Sequence, residues 1–153
     1  ERYWVDKNQV FFFILYGNDC LIKNADPLTF ISLKHFWAKD KNYVYSAYDK
    51  LKDVDPETFI PIDKDWGKTN DSYFYLNLKV EGLDYKAAQI LNPYYIKDQN
   101  SVFFQNKLVL NANPKTFKAD KFSGFGHDDK NMFYNEKNEG PITEQYRKSH
   151  KVK

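Results

Sequence analysis

The chain has 153 residues, of which 42% are hydrophobic and 18% aromatic, so it can bury the core of one domain. Its formal net charge of +2 excludes the strong positive field typical of nucleic-acid-binding proteins. The single cysteine, Cys20, excludes an internal disulfide and a thiolate zinc site. We expect no metal, no other cofactor and no membrane-spanning segment.

A unit of 29 residues recurs along the chain. Its first marker is an Asp or Asn before a turn-like segment such as Pro56-Glu57-Thr58-Phe59. This residue recurs at constant spacing as Asp26, Asp55, Asp84 and Asn113. The second marker is Asp-Lys-Asn or a close variant, and copy one carries an insertion near Leu15 to Asp19. We interpret residues 1–142 as one repeat domain, with copies at about 3–33, 36–62, 65–91 and 94–120 and a half copy at 125–142.

Each copy predicts the same elements in the same order. An aromatic strand comes first, and Asp-Lys-Asn then supplies a turn. A second strand, a polar turn and a third strand follow, as in Val102 to Leu110. The Asp-Pro-x-Thr-Phe segment predicts one short helical turn, capped by Asp26, Asp55, Asp84 and Asn113 in the successive copies. The predicted fold is all-β, with three-stranded meanders in an elongated twisted sheet or solenoid, or alternatively in a small propeller.

The residue three before the Asp-Lys-Asn marker is a large aromatic in four copies. We call it the ladder position, and its members are Tyr3, Trp37, Trp66 and Tyr95. If these rings face solvent, they can stack on sugar rings or hold a partner's loop. If they face inward, they belong to the core. The sequence leaves both alternatives open, and these four are the candidate binding residues.

No catalytic constellation emerges from the remaining residues. Gly67-Lys68-Thr69 lacks the first glycine of a phosphate-binding loop, and Asp63 and Asp65 lack the final glutamate of a calcium loop. His127 precedes two aspartates, which is more typical of a polar loop than of a metal site. Residues 143–153 are basic and leave the repeat, so we predict a frayed tail there, with a short capping helix as the alternative.

The recurring Asp-Lys-Asn-aromatic core, seen in Asp40-Lys41-Asn42-Tyr43 and again from Asp129, resembles the bacterial DKNYY family. Copy three departs from this pattern with Thr69-Asn70-Asp71. The resemblance carries no catalytic residues, and it implies a bacterial and often exported protein. An exported location, periplasmic for example, would agree with a chain that begins at Glu1, the signal segment being absent from it. A cytoplasmic one fits the single cysteine equally.

Repeat arrays present broad surfaces, so these features favour a non-enzymatic binding protein of the bacterial envelope. Its partner is expected to be another protein, for example a toxin that an immunity-type protein neutralises. A polysaccharide or cell wall is the alternative, bound by the Trp/Tyr ladder. An enzyme with its site in the copy-one insertion or at Gly124-Phe125-Gly126 comes third.

Overall fold

The computed structural model describes residues 2–14, 17 and 19–150. In this part of the chain, five small antiparallel sheets follow one another, and a single short α-helix comes last. The predicted all-β class is confirmed. The chain divides into two compact units, 1–79 and 80–153, where the sequence predicted one domain over 1–142.

The first unit holds three sheets. The first sheet consists of β1 (Tyr3–Val5), β2 (Val10–Phe12) and β3 (Cys20–Leu21). The second consists of β4 (Ile31–Ser32), β5 (Trp37–Lys39), β6 (Val44–Ser46) and β7 (Asp49–Lys50). The third consists of β8 (Ile60–Pro61), β9 (Trp66–Lys68), β10 (Tyr73–Tyr75) and β11 (Leu78–Lys79).

The second unit holds two sheets and the helix. The fourth sheet consists of β12 (Gln89–Ile90), β13 (Tyr95–Lys97), β14 (Val102–Phe104) and β15 (Lys107–Leu108). The fifth consists of β16 (Lys118–Ala119), β17 (Phe125–His127), β18 (Asn131–Tyr134) and β19 (Lys137–Pro141). Helix α1 spans Glu144–His150.

Four of the five described sheets have four strands, so the predicted three-stranded meander is wrong for them. The extra strand has two residues, as in Ile31–Ser32, and directly follows the last residue of the turn, which is a phenylalanine in three sheets and Ala88 in the fourth. A strand this short carries no readable alternation of apolar and polar residues. Because it pairs with the aromatic strand after it, each sheet begins a few residues earlier than the predicted copies. Residues 31–32, which we placed in the copy over 3–33, belong to the second sheet.

The Asp/Asn-Pro-type segments are single hydrogen-bonded turns that connect consecutive sheets. In each, the Oδ1 atom of the first residue accepts the backbone N–H two residues later, at 2.9 to 3.1 Å, for Asp26, Asp55, Asp84 and Asn113. The carbonyl oxygen of the same residue accepts the N–H three residues later, for example Thr58 N–H at 3.1 Å from Asp55 O. These are the bonds of a helix N-terminus reduced to one turn.

Two residues before each turn, the backbone adopts a left-handed conformation. The φ angles are 65° at Asn24, 53° at Asp53, 81° at Gly82 and 62° at Asn111. These positions are 29 residues apart and carry the residue types that tolerate positive φ at the lowest cost. The repeat therefore has a third marker, which the sequence analysis did not use.

The chain after the fifth sheet is helical, so the predicted frayed tail is wrong for the residues of α1. Thr143 caps the helix, because its Oγ1 accepts the N–H of Tyr146 at 3.1 Å. Tyr146 is buried and its hydroxyl donates to the carbonyl oxygen of Gly126. Burial raises the pKa of this phenol to about 12. In the copy-one insertion, residues 15, 16 and 18 lie outside the described residues, while Cys20 is half-buried in β3.

Candidate functional site

The ladder rings of the first unit are core residues. Tyr3 is 7% exposed, while Trp37 and Trp66 are fully buried. The Tyr3 hydroxyl lies within hydrogen-bonding distance of the carbonyl oxygens of Phe36 and Ala47 in the second sheet. The Trp37 Nε1 donates to Asp63 O at 2.8 Å, in the connection between β8 and β9 of the third sheet. Tyr3 and Trp37 therefore join each sheet to the next one.

Tyr95 does the same in the second unit. It is fully buried, and its hydroxyl lies 2.8 Å from Gly124 O and 2.7 Å from Asn135 O, in the fifth sheet. Burial raises the pKa of Tyr95 far above its usual range, so the phenol remains a hydrogen-bond donor. The exposed-ladder interpretation of Tyr3, Trp37, Trp66 and Tyr95 is therefore corrected: these rings are buried, and in this conformation they cannot contact a partner.

The first aspartate of the family-like motif is a buried clamp, which we call the clamp aspartate. Asp40 is 2% exposed. Its Oδ1 accepts the N–H groups of Asn42 and Tyr43, and its Oδ2 accepts the N–H of Asp26 and the hydroxyl of Tyr45. One carboxylate thus ties the hairpin turn of one sheet to the preceding inter-sheet turn.

The same clamp recurs in the second unit. Asp98 accepts the N–H of Asp84 at 2.7 Å, and Asp128 accepts the N–H of Asn113 at 2.9 Å. The counterpart of Asp40 in the last copy is therefore Asp128, one residue before Asp129, which the sequence analysis had chosen. Asp129 instead accepts hydrogen bonds from Thr116 and Asn113, which lower the pKa of its carboxyl group. The motif that identifies the repeat is structural.

We expect Asp40→Asn to lower the free energy of unfolding by about 2 kcal/mol. The amide group that replaces one oxygen would face a buried N–H or hydroxyl donor and leave it unsatisfied. Asp6→Asn is the matched control, because Asp6 makes the same turn bonds to Asn8 and Gln9 but is exposed. Urea denaturation of both variants measures the difference. Equal losses in the two variants would contradict the clamp.

Three of the four inter-sheet turns end in a phenylalanine that lies between two sheets, namely Phe30, Phe59 and Phe117. Phe59 contacts Trp37 of the second sheet and Phe74 of the third, with ring centroids 4.9 and 6.3 Å away. A Cβ atom on Gly67 would overlap the Phe59 ring, so the small residue after Trp66 makes room for it. Phe30 is half-buried and makes the same two contacts, with Tyr3 and Tyr45.

The same arrangement occurs in the second unit. Phe117 is 3% exposed and lies between Tyr95 and Phe133, with centroids 5.1 and 5.5 Å away. A Cβ atom on Gly126 would overlap its ring. The ladder face of a sheet is thus a surface that receives an aromatic side chain from a polypeptide turn.

The ladder position of the fifth sheet differs from the other four. Phe125 occupies it and is 41% exposed, and its cross-strand neighbour Tyr134 is 45% exposed. Their ring centroids are 4.7 Å apart. They line an open cavity of about 350 Å³, which we call the aromatic cavity, together with Met132, Phe133, Glu139 and Tyr146. The sequence analysis named Phe125 only as part of a glycine-flanked loop, whereas the structure places it in β17.

A second exposed aromatic surface lies on the first sheet. Trp4, Phe11 and Leu21 are cross-strand neighbours on one face, opposite the buried Tyr3 and Phe12. The rings of Trp4 and Phe11 are stacked 4.2 Å apart and only 9° from parallel. The Trp4 Nε1 donates to Asp19 Oδ2 at 3.1 Å. Sequence reasoning missed Trp4 because it ranked Tyr3, the adjacent ladder residue, instead.

The residues that the sequence analysis considered for a phosphate-binding or calcium-binding loop belong to a strand and a turn. Gly67 lies in β9 rather than in a phosphate-binding loop, and Asp63 caps a turn through the N–H groups of Asp65 and Trp66. No group of three metal-ligating side chains occurs among residues 2–14, 17 and 19–150. Within the same described part, no helix has the length and apolar character needed to cross a membrane.

Comparison with known proteins identifies the family. The model of the DKNYY family matches residues 3–137. No curated protein and no solved structure gives a significant match. The match covers all five described sheets up to the start of β19, and it includes the three clamp aspartates. The chain belongs to the DKNYY family.

Proposed function

We propose that the chain is a non-enzymatic binding protein that holds a partner protein at the aromatic cavity of the fifth sheet. The observation that carries this proposal is the exposure of Phe125 at a position where the counterparts are at most 7% exposed. Exposed aromatic rings beside an apolar cavity are typical anchors of protein interfaces.

The repeat itself indicates which kind of partner fits. In three inter-sheet contacts the ladder ring receives a phenylalanine from a polypeptide turn, at Tyr3, Trp37 and Tyr95. The ladder face is therefore shaped for a peptide segment with an aromatic side chain. Phe125 lacks the hydroxyl or indole N–H that Tyr3, Trp37 and Tyr95 direct at carbonyl oxygens, so this surface needs only apolar contact from its partner.

In its most concrete form, the proposal is an immunity-type protein of the bacterial envelope that neutralises a toxin. The near-neutral net charge and the repeated scaffold support a blocking role. The family resemblance supports an exported location. In this version the partner has a toxic activity, and the chain suppresses that activity at a one-to-one molar ratio. Persistence of the partner's activity at saturating chain would exclude the immunity version.

The test uses selection of displayed peptides that bind the wild-type chain. We expect the selected peptides to carry an aromatic residue and to lose at least about ten-fold in affinity for Phe125→Ala/Tyr134→Ala, because hot-spot rings contribute roughly 2 kcal/mol or more each. Phe122→Ala is the control, since Phe122 is 74% exposed and does not line the cavity. Selected peptides that bind the double variant as tightly as wild type would refute the proposal.

A carbohydrate is the second candidate, and one observation favours it. The nearly parallel rings of Trp4 and Phe11 present a flat aromatic surface, with the Asp19 carboxylate beside the indole. Such surfaces stack on sugar rings. If this alternative holds, Trp4→Ala abolishes binding to cell-wall polysaccharide in a sedimentation assay, while the double variant of the aromatic cavity binds normally.

A further inference from the structure

A cavity of about 650 Å³ lies in the second unit and shares no lining residue with the aromatic cavity. We call it the basic cavity. Four cationic side chains line it, namely Lys97, Lys115, Lys118 and Arg147. Thr116, Phe117, Ile142, His127, Asp128 and Asp129 complete its lining. Four cationic side chains therefore face two carboxylates.

The two carboxylates are already engaged. Asp128 is 3% exposed and accepts the backbone N–H groups of Asn113, Lys130 and Asn131. Asp129 accepts hydrogen bonds from Thr116 and Asn113. Both oxygens of Asp128 and the Oδ1 atom of Asp129 thus accept hydrogen bonds from groups other than the four cations, and the cavity keeps an excess of positive charge.

Three of the four cationic side chains that line the basic cavity are free of ion pairs within the described part of the chain. Lys97 donates one hydrogen bond to Pro114 O at 2.7 Å, which fixes its ammonium group at the cavity. Among the residues that the structure describes, Lys115, Lys118 and Arg147 make no ion pair. Burying or pairing such charges requires a ligand that is itself anionic.

The preceding copy shows what distinguishes this cavity. The equivalent groove there has a volume of about 370 Å³ and is lined by Gln89 and Gln99 where the basic cavity has Lys118 and Asp129. The basic cavity is larger and includes Ile142 and Arg147, which lie beyond β19 and on α1. The helix therefore adds a wall and a guanidinium group to a groove that the repeat already forms.

We propose that the basic cavity binds a phosphate-bearing anion. A phosphate group carries up to two negative charges and three acceptor oxygens, which matches an excess of two positive charges. Lysines act on it as point charges, and an arginine can donate two parallel hydrogen bonds. A soluble phosphorylated molecule and a phosphate polymer share this chemistry, and both satisfy the site.

Isothermal titration of the full chain with inorganic pyrophosphate tests the proposal. We expect binding that weakens as ionic strength rises. Lys118→Gln/Arg147→Gln should weaken it by about ten-fold, because the variant removes two of the four cationic groups that line the cavity. Gln89 occupies the equivalent position of strand β12 in the preceding copy, so a glutamine at position 118 is compatible with the strand.

Lys86→Gln/Lys121→Gln is the matched control, because it removes the same charge from the same unit outside the cavity. It should bind pyrophosphate like wild type, and so should Phe125→Ala/Tyr134→Ala, which separates this site from the protein-binding surface. The proposal is overturned if the chain binds neither pyrophosphate nor long-chain polyphosphate. It is also overturned if Lys118→Gln/Arg147→Gln and Lys86→Gln/Lys121→Gln lose the same affinity. Tighter binding of polyphosphate assigns the site to a polymer, and tighter binding of pyrophosphate assigns it to a small ligand.

Discussion

Replacement of Trp37 and Trp66 by alanine is expected to unfold the first unit. Both rings are fully buried, and truncating a buried tryptophan costs about 3 to 5 kcal/mol. Two such losses approach or exceed the 5 to 15 kcal/mol that stabilises a typical domain. Trp37→Ala also leaves the carbonyl oxygen of Asp63 without its indole donor. Circular dichroism and thermal unfolding of both single variants and the double variant measure the effect.

Trp4→Ala is the matched control for this experiment. Trp4 is the same residue type in the same unit, but it is 43% exposed and its ring contacts Phe11 at the surface. We expect a loss of about 1 kcal/mol, the order of magnitude of one aromatic pair. A folded, cooperatively unfolding Trp37→Ala/Trp66→Ala protein would mean that the ladder rings do not hold the sheets together.

The inter-sheet turns could be predicted because few residue types form them. Asp55 supplies the N-cap of a helix start and Pro56 its fixed φ angle. Because this pair of positions recurs every 29 residues, it also identifies the register of the repeat. The helix at the C-terminal end was harder. It has seven residues, and among residues 144–149, whose side chains the structure describes, only Tyr146 is buried, so no apolar periodicity could reveal it.

The direction of the ladder rings could not be read from the sequence, because the second sheet, which carries Trp37, is covered on both faces. In β5, Trp37 and Ala38 are both fully buried, and all three residues of β6 are buried. Strands of this kind do not alternate between apolar and polar residues. Whether the rings of Trp4 and Phe125 are exposed depends on whether another element packs on their face of the sheet. The sequence of a single strand does not contain this information.

The sequence also contains a correlation between the residue that ends an inter-sheet turn and the residue that follows the next ladder ring. Where the turn ends in phenylalanine, the residue after the ladder ring is small: Phe30 is matched by Ala38, and Phe59 is matched by Gly67. In the fourth sheet the turn ends in Ala88 and the corresponding residue is Ile96. Correlated volume at positions eight residues apart indicates a packed pair, and this pair can be tested by substitution.

Phe59→Ala is expected to cost about 3 to 5 kcal/mol, because the ring fills the space between Trp37 and Phe74 and leaves a cavity there. Adding Gly67→Ile to this variant should recover roughly 1.5 to 2 kcal/mol, since the isoleucine side chain can occupy the space that the Phe59 ring has left. Gly67→Ile alone should instead destabilise the protein, because its side chain would overlap the Phe59 ring. Urea denaturation of the wild type, both single variants and the double variant gives the coupling free energy of the pair. If the double variant is less stable than Phe59→Ala, a larger side chain at position 67 does not fill the space left by a smaller one at position 59. The inferred packing of these two positions against each other would then be wrong.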